Sequence, residues 1–284
     1  MIPKVSIVFL TKNGGDLFRQ ALQSVFRQEV DFLFEVIAID SGSTDGTIRT
    51  LEDFNVRIER IPASEFNFGL TRDYGFSLGK GEILVTLSQD AVPAGTDWLS
   101  RICAPFADPE VTVVQGQEVP PPDRDLFFWD KIRLFYFTRE AKKWNRIYQG
   151  LGLSFVNCAI RRSVWAENRL GRVEMSEDKI FQKRLFEKGC RMSYEAEAKV
   201  WHSHQYDLNT LKKRCKNEGL GWNLAGINYS RRDMLLDMIN PLIGLVFMYG
   251  LTTLQLRTSA ELLFPWVRPI CLYEGNNATK DYLH

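Results

Sequence analysis

One aspartate stands at the end of an apolar run, where it is well placed to hold a cation. Residues 83–87 read Ile-Leu-Val-Thr-Leu, and Ser88-Gln89-Asp90 follows them before the turn at Val92-Pro93. Such a run is typical of a strand buried on both faces of a parallel sheet. Groups just beyond the carboxyl ends of such strands bind ligands in open α/β folds. Asp90 is therefore a candidate ligand for Mg²⁺ or Mn²⁺ bound together with a diphosphate, although an aspartate also suits an ordinary turn before proline.

Two adjacent acids, Glu177 and Asp178, follow Met175-Ser176 where a helix is predicted to begin. A carboxylate in the first turn of a helix is often only a partner of the helix dipole. It can also act as a general base toward a hydroxyl group, provided that it projects from a different wall than the cation. Asp178 is our candidate base, and Glu177 would orient either Asp178 or the hydroxyl-bearing molecule.

Two histidines, His202 and His204, follow the last predicted strand, Arg191 to Trp201. Each is a candidate metal ligand or diphosphate contact. Because successive side chains of a strand point to opposite faces, we expect at most one of them to face the site. For each histidine taken alone, a solvated or core-capping position is an equally good interpretation.

The elements that must position these residues alternate between strand and helix. Strands are predicted over 5–10, 34–39, 56–61, 83–87, 111–114, 153–160 and 191–201, and helices over 16–28, 47–51, 69–78, 96–106 and 177–188. This alternation predicts an α/β domain with a doubly wound, mostly parallel sheet flanked by helices. Thr11, Asn13, Asp40 and Asp90 collect at the predicted strand ends.

The alternation between predicted strands and helices ends near residue 205. We predict a domain over 1–205 and a helical C-terminal region over 206–284, with a helix from Leu208 to about Tyr229 and an uncharged run from Met238 to Leu256. That run favours contact with a membrane interface over a buried core helix, and both over a true span. The aromatic segment 126–148 favours a packed core over a sugar-stacking surface.

Composition excludes several classes of protein. A net charge of +1 over 284 residues argues against a broad nucleic-acid interface. The five cysteines are odd in number and widely spaced, and they form no C-x-x-C pair. This pattern argues against a disulfide framework or a zinc site and favours a reducing compartment. The N-terminus lacks the organisation of a signal peptide, so we expect a cytoplasmic protein.

Several motifs, in order, resemble those of the family-two inverting glycosyltransferases of GT-A fold. They are Val5-Ser6-Ile7-Val8 with Thr11-Lys12-Asn13, Asp40-Ser41-Gly42-Ser43-Thr44-Asp45-Gly46-Thr47, Asn67-Phe68-Gly69-Leu70-Thr71-Arg72-Asp73, Ser88-Gln89-Asp90-Ala91 and Ser176-Glu177-Asp178. The stretch from Leu87 to Pro93 is similar to bacterial rhamnosyltransferases of that family. The resemblance extends over about residues 1–205.

The resemblance implies an enzyme that transfers a sugar with inversion, most simply L-rhamnose from dTDP-L-rhamnose. The acceptor would be a hydroxyl of a glycan or lipid-linked saccharide in bacterial cell-surface polysaccharide synthesis, at the inner face of the cytoplasmic membrane. The implied nucleotide pocket contains Thr11, Asn13, Asp40, Ser41 and Arg72. Gln89 and Asp90 would lie at the diphosphate and its Mg²⁺ or Mn²⁺, and Asp178 would be the base.

The chain departs from this family's usual pattern at three positions. Gln89-Asp90-Ala91 has one carboxylate where Asp-x-Asp or Asp-Asp is usual, Ser41 replaces an acid, and Lys12 replaces an aromatic residue. These departures keep open a UDP-sugar-using enzyme of the same family and an inactive sugar-binding subunit. A nicotinamide oxidoreductase would need G-x-G-x-x-G after the first strand, which Thr11-Lys12-Asn13-Gly14-Gly15-Asp16 lacks. A nucleotidyltransferase would need a basic, glycine-rich loop, which we do not find near the N-terminus.

Overall fold

A computed structural model describes residues 2–123, 125–132, 138–148 and 152–278. It divides into two compact units, Met1–Pro121 with Leu153–His202, and Pro122–Gly152 with Ser203–His284. The junction between His202 and Ser203 lies close to the predicted division at residue 205. Residues 122–152, which the sequence analysis assigned to the first domain, cluster with the C-terminal residues instead.

The bounds of the strands and helices follow the predicted alternation. The strands are β1 Val5–Thr11, β2 Phe34–Asp40, β3 Val56–Arg60, β4 Ile83–Leu87, β5 Val92–Pro93, β6 Val111–Val119, β7 Asn157–Arg161 and β8 Arg191–Trp201. The helices are α1 Gly15–Phe26, α2 Thr47–Glu52, α3 Phe68–Leu78, α4 Trp98–Cys103, α5 Phe128–Lys131, α6 Arg139–Tyr148, α7 Arg162–Glu167, α8 Glu177–Glu187, α9 Leu208–Leu224, α10 Arg231–Met238, α11 Pro241–Thr252 and α12 Ser259–Asn276. Short 3₁₀ turns occupy Ala63–Glu65 and Ala104–Ala107.

The first unit contains an eight-stranded sheet in the order β3-β2-β1-β4-β7-β6-β8-β5. β1 pairs in parallel with β2 and β4, β2 with β3, and β6 with β8. The β4–β7, β6–β7 and β5–β8 pairs are antiparallel. The predicted doubly wound, mostly parallel sheet is therefore confirmed, with antiparallel pairing confined to the half that carries β5 and β7.

Both faces of the central strands are buried, which explains their unbroken apolar sequences. Val5, Ile7 and Phe9 of β1 pack in one cluster with Phe18 and Leu22 of α1. The other face of the sheet packs in a second cluster that includes Val8, Ile37, Ile39, Phe76 and Phe181. Helices cover both faces because neither face can be left in water.

Several element boundaries differ from the prediction, and β7 begins at Asn157 rather than at residue 153. β6 continues to Val119 rather than ending at Val114, so Glu118 belongs to the strand. The helix expected over 96–106 begins at Trp98 and ends at Cys103, after which a 3₁₀ turn follows. α9 ends at Leu224 instead of about Tyr229, because the chain turns at Gly226, whose φ is +85°.

The second unit has an aromatic core, and the described part of segment 126–148 lies within it. Phe127, Phe128 and Trp129 are buried, and the Trp129 ring stacks on Phe264 at 5.1 Å between centroids. Trp144 and Tyr148 form a smaller buried cluster. Packing is thus the observed role of these side chains, while Phe135, Tyr136 and Phe137 lie outside the described residues.

Within the described ranges, no single helix is long and apolar enough to cross a membrane. α10 and α11, which are bent by 40° relative to each other, pass that test only as a pair.

Candidate active site

The carboxylate of Asp40 shapes the loop that follows β2. Asp40 is buried, and its Oδ2 accepts hydrogen bonds from the backbone N–H groups of Gly42 and Ser43, both at 3.0 Å. Its Oδ1 accepts a hydrogen bond from Thr11 Oγ1 at 3.3 Å, since Thr11 and Asp40 are paired residues of β1 and β2. Asp40 therefore holds this loop in one conformation.

The loops after β1 and β2 are joined by further hydrogen bonds. Asn13 has a φ of +50°, and its N–H donates to Ser43 Oγ at 2.8 Å. Its Oδ1 accepts from the Thr44 N–H at 2.8 Å. The Ser41 N–H and hydroxyl both donate to the Thr11 carbonyl, at 3.0 and 3.2 Å. The structure thus brings together Thr11, Asn13, Asp40 and Ser41, four of the residues proposed from sequence.

Gln89 holds the first of these loops in place. Its Nε2 donates to the Lys12 carbonyl at 3.1 Å, and its Oε1 accepts from the Lys12 N–H at 3.0 Å. A carboxylate at this position would lack the donor for the first bond. The hydrogen bond that Gln89 donates to the Lys12 carbonyl therefore accounts for an amide rather than a carboxylate at position 89.

Asp90 and His202 meet because of the register between β5 and β8. These strands are antiparallel with Val92 opposite Trp201, which brings the residues just before β5 beside those just after β8. Asp90 Oδ2 lies 3.6 Å from His202 Nε2. Asp90 Oδ1 accepts a hydrogen bond from Ser88 Oγ.

Glu118 is a site residue that the sequence analysis missed. Its Oε2 lies 2.9 Å from His202 Nδ1, on the side of the ring opposite Asp90. Burial lowers the pKa of His202, but the hydrogen bonds with Asp90 and Glu118 outweigh it and raise this pKa to about 9. Burial conversely raises the pKa of Glu118, but the hydrogen bond to His202, the charge of His202 and smaller contributions from Ser154 and Lys179 together lower it. The only sequence signal was an acid in a strand that was predicted too short.

The Asp90 and His202 atoms suit a shared divalent cation. Two ligand atoms that each lie about 2.1 Å from an ion are about 3–3.5 Å apart, close to the observed 3.6 Å. The bond from Glu118 fixes the ring of His202, as carboxylates commonly do for metal-binding histidines. Asp90 and His202 each offer one possible ligand atom.

The expectation that at most one histidine faces the site rested on strand alternation. β8 ends at Trp201, so His202 and His204 follow the strand rather than belong to it. The alternation argument therefore does not hold for them. His204 belongs to the second unit, and its role as a ligand stays a prediction.

Another part of the first unit holds the adjacent acids Glu177 and Asp178. Arg72 is buried, and its Nε and Nη2 donate to Glu177 Oε1 at 3.2 and 2.9 Å. Its Nη1 donates to Thr86 Oγ1, and its guanidinium lies 4.9 Å from the centroid of Phe155. Burial raises the pKa of Glu177, while the Arg72 charge opposes that rise.

Asp178 is half-buried in the first turn of α8. Its Oδ1 accepts the N–H of Lys179 at 2.7 Å. Ser176, at the N-cap position, has a φ of +57° and provides no side-chain cap, so the chain turns sharply into the helix. Glu177 is consequently directed to Arg72, and Asp178 keeps partial access to solvent.

The motif from Asn67 to Asp73 anchors the segment that precedes α8. Asn67 Oδ1 accepts the N–H of Val173 at 3.1 Å. Asp73 accepts the indole N–H of Trp165 at 2.7 Å and the N–H of Gly171 at 2.9 Å. Together with Arg72, this motif positions the Glu177-Asp178 pair, a connection that its sequence alone does not reveal.

The fold is that of the GT-A glycosyltransferases. The structure is similar to that of a mannosyltransferase from Pyrobaculum calidifontis in complex with GDP-Man and Mn²⁺, with a TM-score of 0.63 and 17% identity over 97% of this chain and 87% of that one. It is also similar to glucosyl-3-phosphoglycerate synthase from Mycobacterium tuberculosis in complex with Mn²⁺, UDP-glucose and phosphoglyceric acid. The TM-score there is 0.61, with 16% identity over 80% of this chain and 81% of that one.

Residues 6–169 match the model of glycosyl transferase family 2, and the chain belongs to this family. It is 29% identical over 213 residues to the O-antigen chain rhamnosyltransferase RfbN of Salmonella typhimurium, covering 72% of this chain and 67% of that protein. It is also 29% identical over 215 residues to the O-antigen chain rhamnosyltransferase WbaN of Salmonella anatum, covering 72% and 68%. The resemblance inferred from the motifs is thereby confirmed: the protein is a family-2 glycosyltransferase that is similar to bacterial rhamnosyltransferases.

Proposed function

We propose that the protein transfers L-rhamnose from dTDP-L-rhamnose to a hydroxyl of a glycan or lipid-linked saccharide during synthesis of a bacterial cell-surface polysaccharide, with inversion at the anomeric carbon. The similarity to two O-antigen chain rhamnosyltransferases supports the sugar and the pathway. The observation that carries the chemistry is the meeting of Asp90 with His202 beyond the strand ends, apart in sequence from the acids at the start of α8.

The donor diphosphate would bind with Mg²⁺ or Mn²⁺ at Asp90 and His202, with His204 as a third candidate ligand. When bound, the cation neutralises the charge that develops on the departing nucleoside diphosphate. Glu118 keeps His202 Nε2 directed toward Asp90 by holding Nδ1 at 2.9 Å. A donor set of carboxylate and imidazole favours Mn²⁺ over Mg²⁺, since Mg²⁺ prefers oxygen ligands.

Other residues of the chain would bind the nucleotide and remove the proton of the acceptor hydroxyl. The loops joined by Thr11, Asn13, Asp40 and Ser41 would hold the nucleotide, and Gln89 would keep the first loop in place beside the diphosphate. Asp178 would take the proton from the acceptor hydroxyl while that oxygen attacks the anomeric carbon. Glu177, neutralised by Arg72, would orient Asp178.

Calorimetric titration with dTDP-rhamnose, UDP-glucose and UDP-N-acetylglucosamine tests this proposal, each with and without Mn²⁺ or Mg²⁺. We expect metal-dependent binding of the dTDP sugar alone. Binding of a UDP sugar instead would keep glycosyl transfer and overturn the rhamnose assignment. Binding of none would favour an inactive sugar-binding subunit.

An Asp90→Asn variant identifies the metal site within the same assay. We expect it to lose metal-dependent donor binding. Asp97→Asn is the matched control, because Asp97 is exposed and paired with Arg101 at 2.5 Å. Equal effects of the two substitutions on metal-dependent donor binding would show that Asp90 is not a metal ligand.

A further inference from the structure

Helix α11 in the second unit presents an apolar face to solvent. Leu242, Leu245, Met248 and Tyr249 are exposed on this helix, with Leu245 at 68%. No charged residue occurs between Met238 and Leu256. Ile243 and Gly250 are buried on the opposite side, so the helix is attached to the unit by one face and uncovered on the other.

The polar groups at the end of α11 satisfy one another. Thr252 Oγ1 donates to the Met248 carbonyl at 3.0 Å, and Thr253 Oγ1 donates to the Tyr249 carbonyl at 2.7 Å. Gln255 Nε2 donates to Thr253 Oγ1 at 3.0 Å and to the Tyr249 hydroxyl at 3.3 Å. Such internal pairing is what polar groups need in a medium without water.

Leu254, immediately after this end, is in a strained position. Its φ is +55°, a conformation that suits glycine and that is a genuine outlier for a bulky side chain. Its side chain is nevertheless 82% exposed and therefore gains little from packing. Leu254 is the residue after the C-cap of α11, where the Gln255 N–H donates to the Gly250 carbonyl at 2.9 Å and where glycine is usual. A leucine at this position adds its exposed side chain to the apolar surface.

We propose that the α11 face, defined as Leu242, Leu245, Met248, Tyr249 and Leu254, docks on a lipid bilayer that contains anionic lipids. Arg231 and Arg232, both exposed at the start of α10, supply charge complementary to anionic headgroups. An apolar helix face with basic residues shortly before it in sequence suits the boundary between the hydrocarbon and the anionic headgroups of a bilayer. The helix has 12 residues, so it is about 18 Å long and lies along the interface rather than spanning about 30 Å of hydrocarbon.

Vesicle flotation of the full chain tests this surface with two lipid compositions, phosphatidylcholine alone and phosphatidylcholine with phosphatidylglycerol. We expect the protein to float with the anionic vesicles, and Leu245→Glu with Met248→Glu to abolish flotation. Leu33→Glu is the matched control, because Leu33 is an exposed leucine of the first unit, at 48%, and it should float as the wild type does. Arg231→Gln with Arg232→Gln should remove the preference for anionic vesicles.

Leu254→Gly supplies a readout that a merely structural leucine would not give. Relief of the positive φ should raise the midpoint of thermal unfolding, while loss of the apolar side chain weakens flotation. The proposal is overturned if the wild type does not float, or if the α11 variants float as well as Leu33→Glu. It is equally overturned if light scattering shows a dimer that the α11 variants dissolve and no vesicle binding, because a second copy would then cover this face.

Donor binding is measured separately on the same variants. We expect it to be unchanged, so failure of the lipid proposal and failure of the proposed transferase function are distinguishable.

Discussion

Arg72 Nη2 lies 2.9 Å from Glu177 Oε1, and this ion pair joins α3 to the first turn of α8 across 105 residues of sequence. Both side chains are more than nine-tenths buried. The pair therefore removes one of two adjacent acids from solvent and leaves its neighbour, Asp178, half-exposed. The two carboxylates consequently have different environments although they adjoin in sequence.

Arg72→Met should strongly destabilise the protein, because it leaves the buried Glu177 carboxylate without a partner. We expect a loss of about 3–5 kcal/mol in the free energy of unfolding, measured with urea. Arg72→Met combined with Glu177→Leu should recover most of that loss. Arg57→Met is the control, since its pair with Glu59 is partly exposed and is expected to contribute about 0–1 kcal/mol. Similar losses for the two single variants would contradict the assignment.

Asp178→Asn should abolish sugar transfer and leave donor binding nearly intact, because the amide cannot accept the proton of the acceptor hydroxyl. Turnover and calorimetric donor affinity are the two measurements. Glu187→Gln, at the exposed end of the same helix, serves as the control and should keep both. Near-normal turnover of Asp178→Asn would show that a residue other than Asp178 is the general base.

Gln89→Glu tests why this chain has one carboxylate in the motif. The substitution places a carboxylate oxygen against the Lys12 carbonyl in place of the 3.1 Å hydrogen bond. We expect a loss of about 1–3 kcal/mol in stability and no gain in Mn²⁺ affinity, measured by urea unfolding and calorimetry. Gln20→Glu, exposed on α1, controls for the added charge. Tighter Mn²⁺ binding by Gln89→Glu would instead place residue 89 at the metal.

Mn²⁺ affinity should rise with pH. In the metal-free protein the pKa of His202 is raised to about 9, so below that pH the imidazole carries a proton that the metal must displace. The association constant should therefore increase about tenfold per pH unit and level off above the pKa. Calorimetry in buffers of different ionisation enthalpy counts the released proton.

Glu118→Gln provides the comparison for that pH dependence. It removes one of the two acids that raise the His202 pKa, so levelling should begin at lower pH. Glu110→Gln, an exposed acid that precedes β6, should behave as the wild type. A pH profile that Glu118→Gln leaves unchanged would exclude His202 as the titrating ligand.

Local sequence patterns predicted the sheet well because strand burial and turn formation are encoded by neighbouring residues. The run before Asp90 predicted β4 at its observed bounds, Ile83–Leu87. β6 was predicted too short, because Gln115, Gln117 and Glu118 break the apolar run in which residues 111–114 stand. The parallel pairing of β6 with β8 maintains the strand there, although no local pattern indicates it.

The sequence by itself determined the α/β alternation, the positions of Asp40 and Asp90 at strand ends and the membership of family 2, since each depends on residue types at short spacing. Only the tertiary structure decided which side chains meet. It placed Glu118 on His202, Arg72 on Glu177 and Gln89 on Lys12. These contacts depend on strand register and helix packing between segments far apart in the chain, and a polar side chain has no sequence signal for the partner that it will find there.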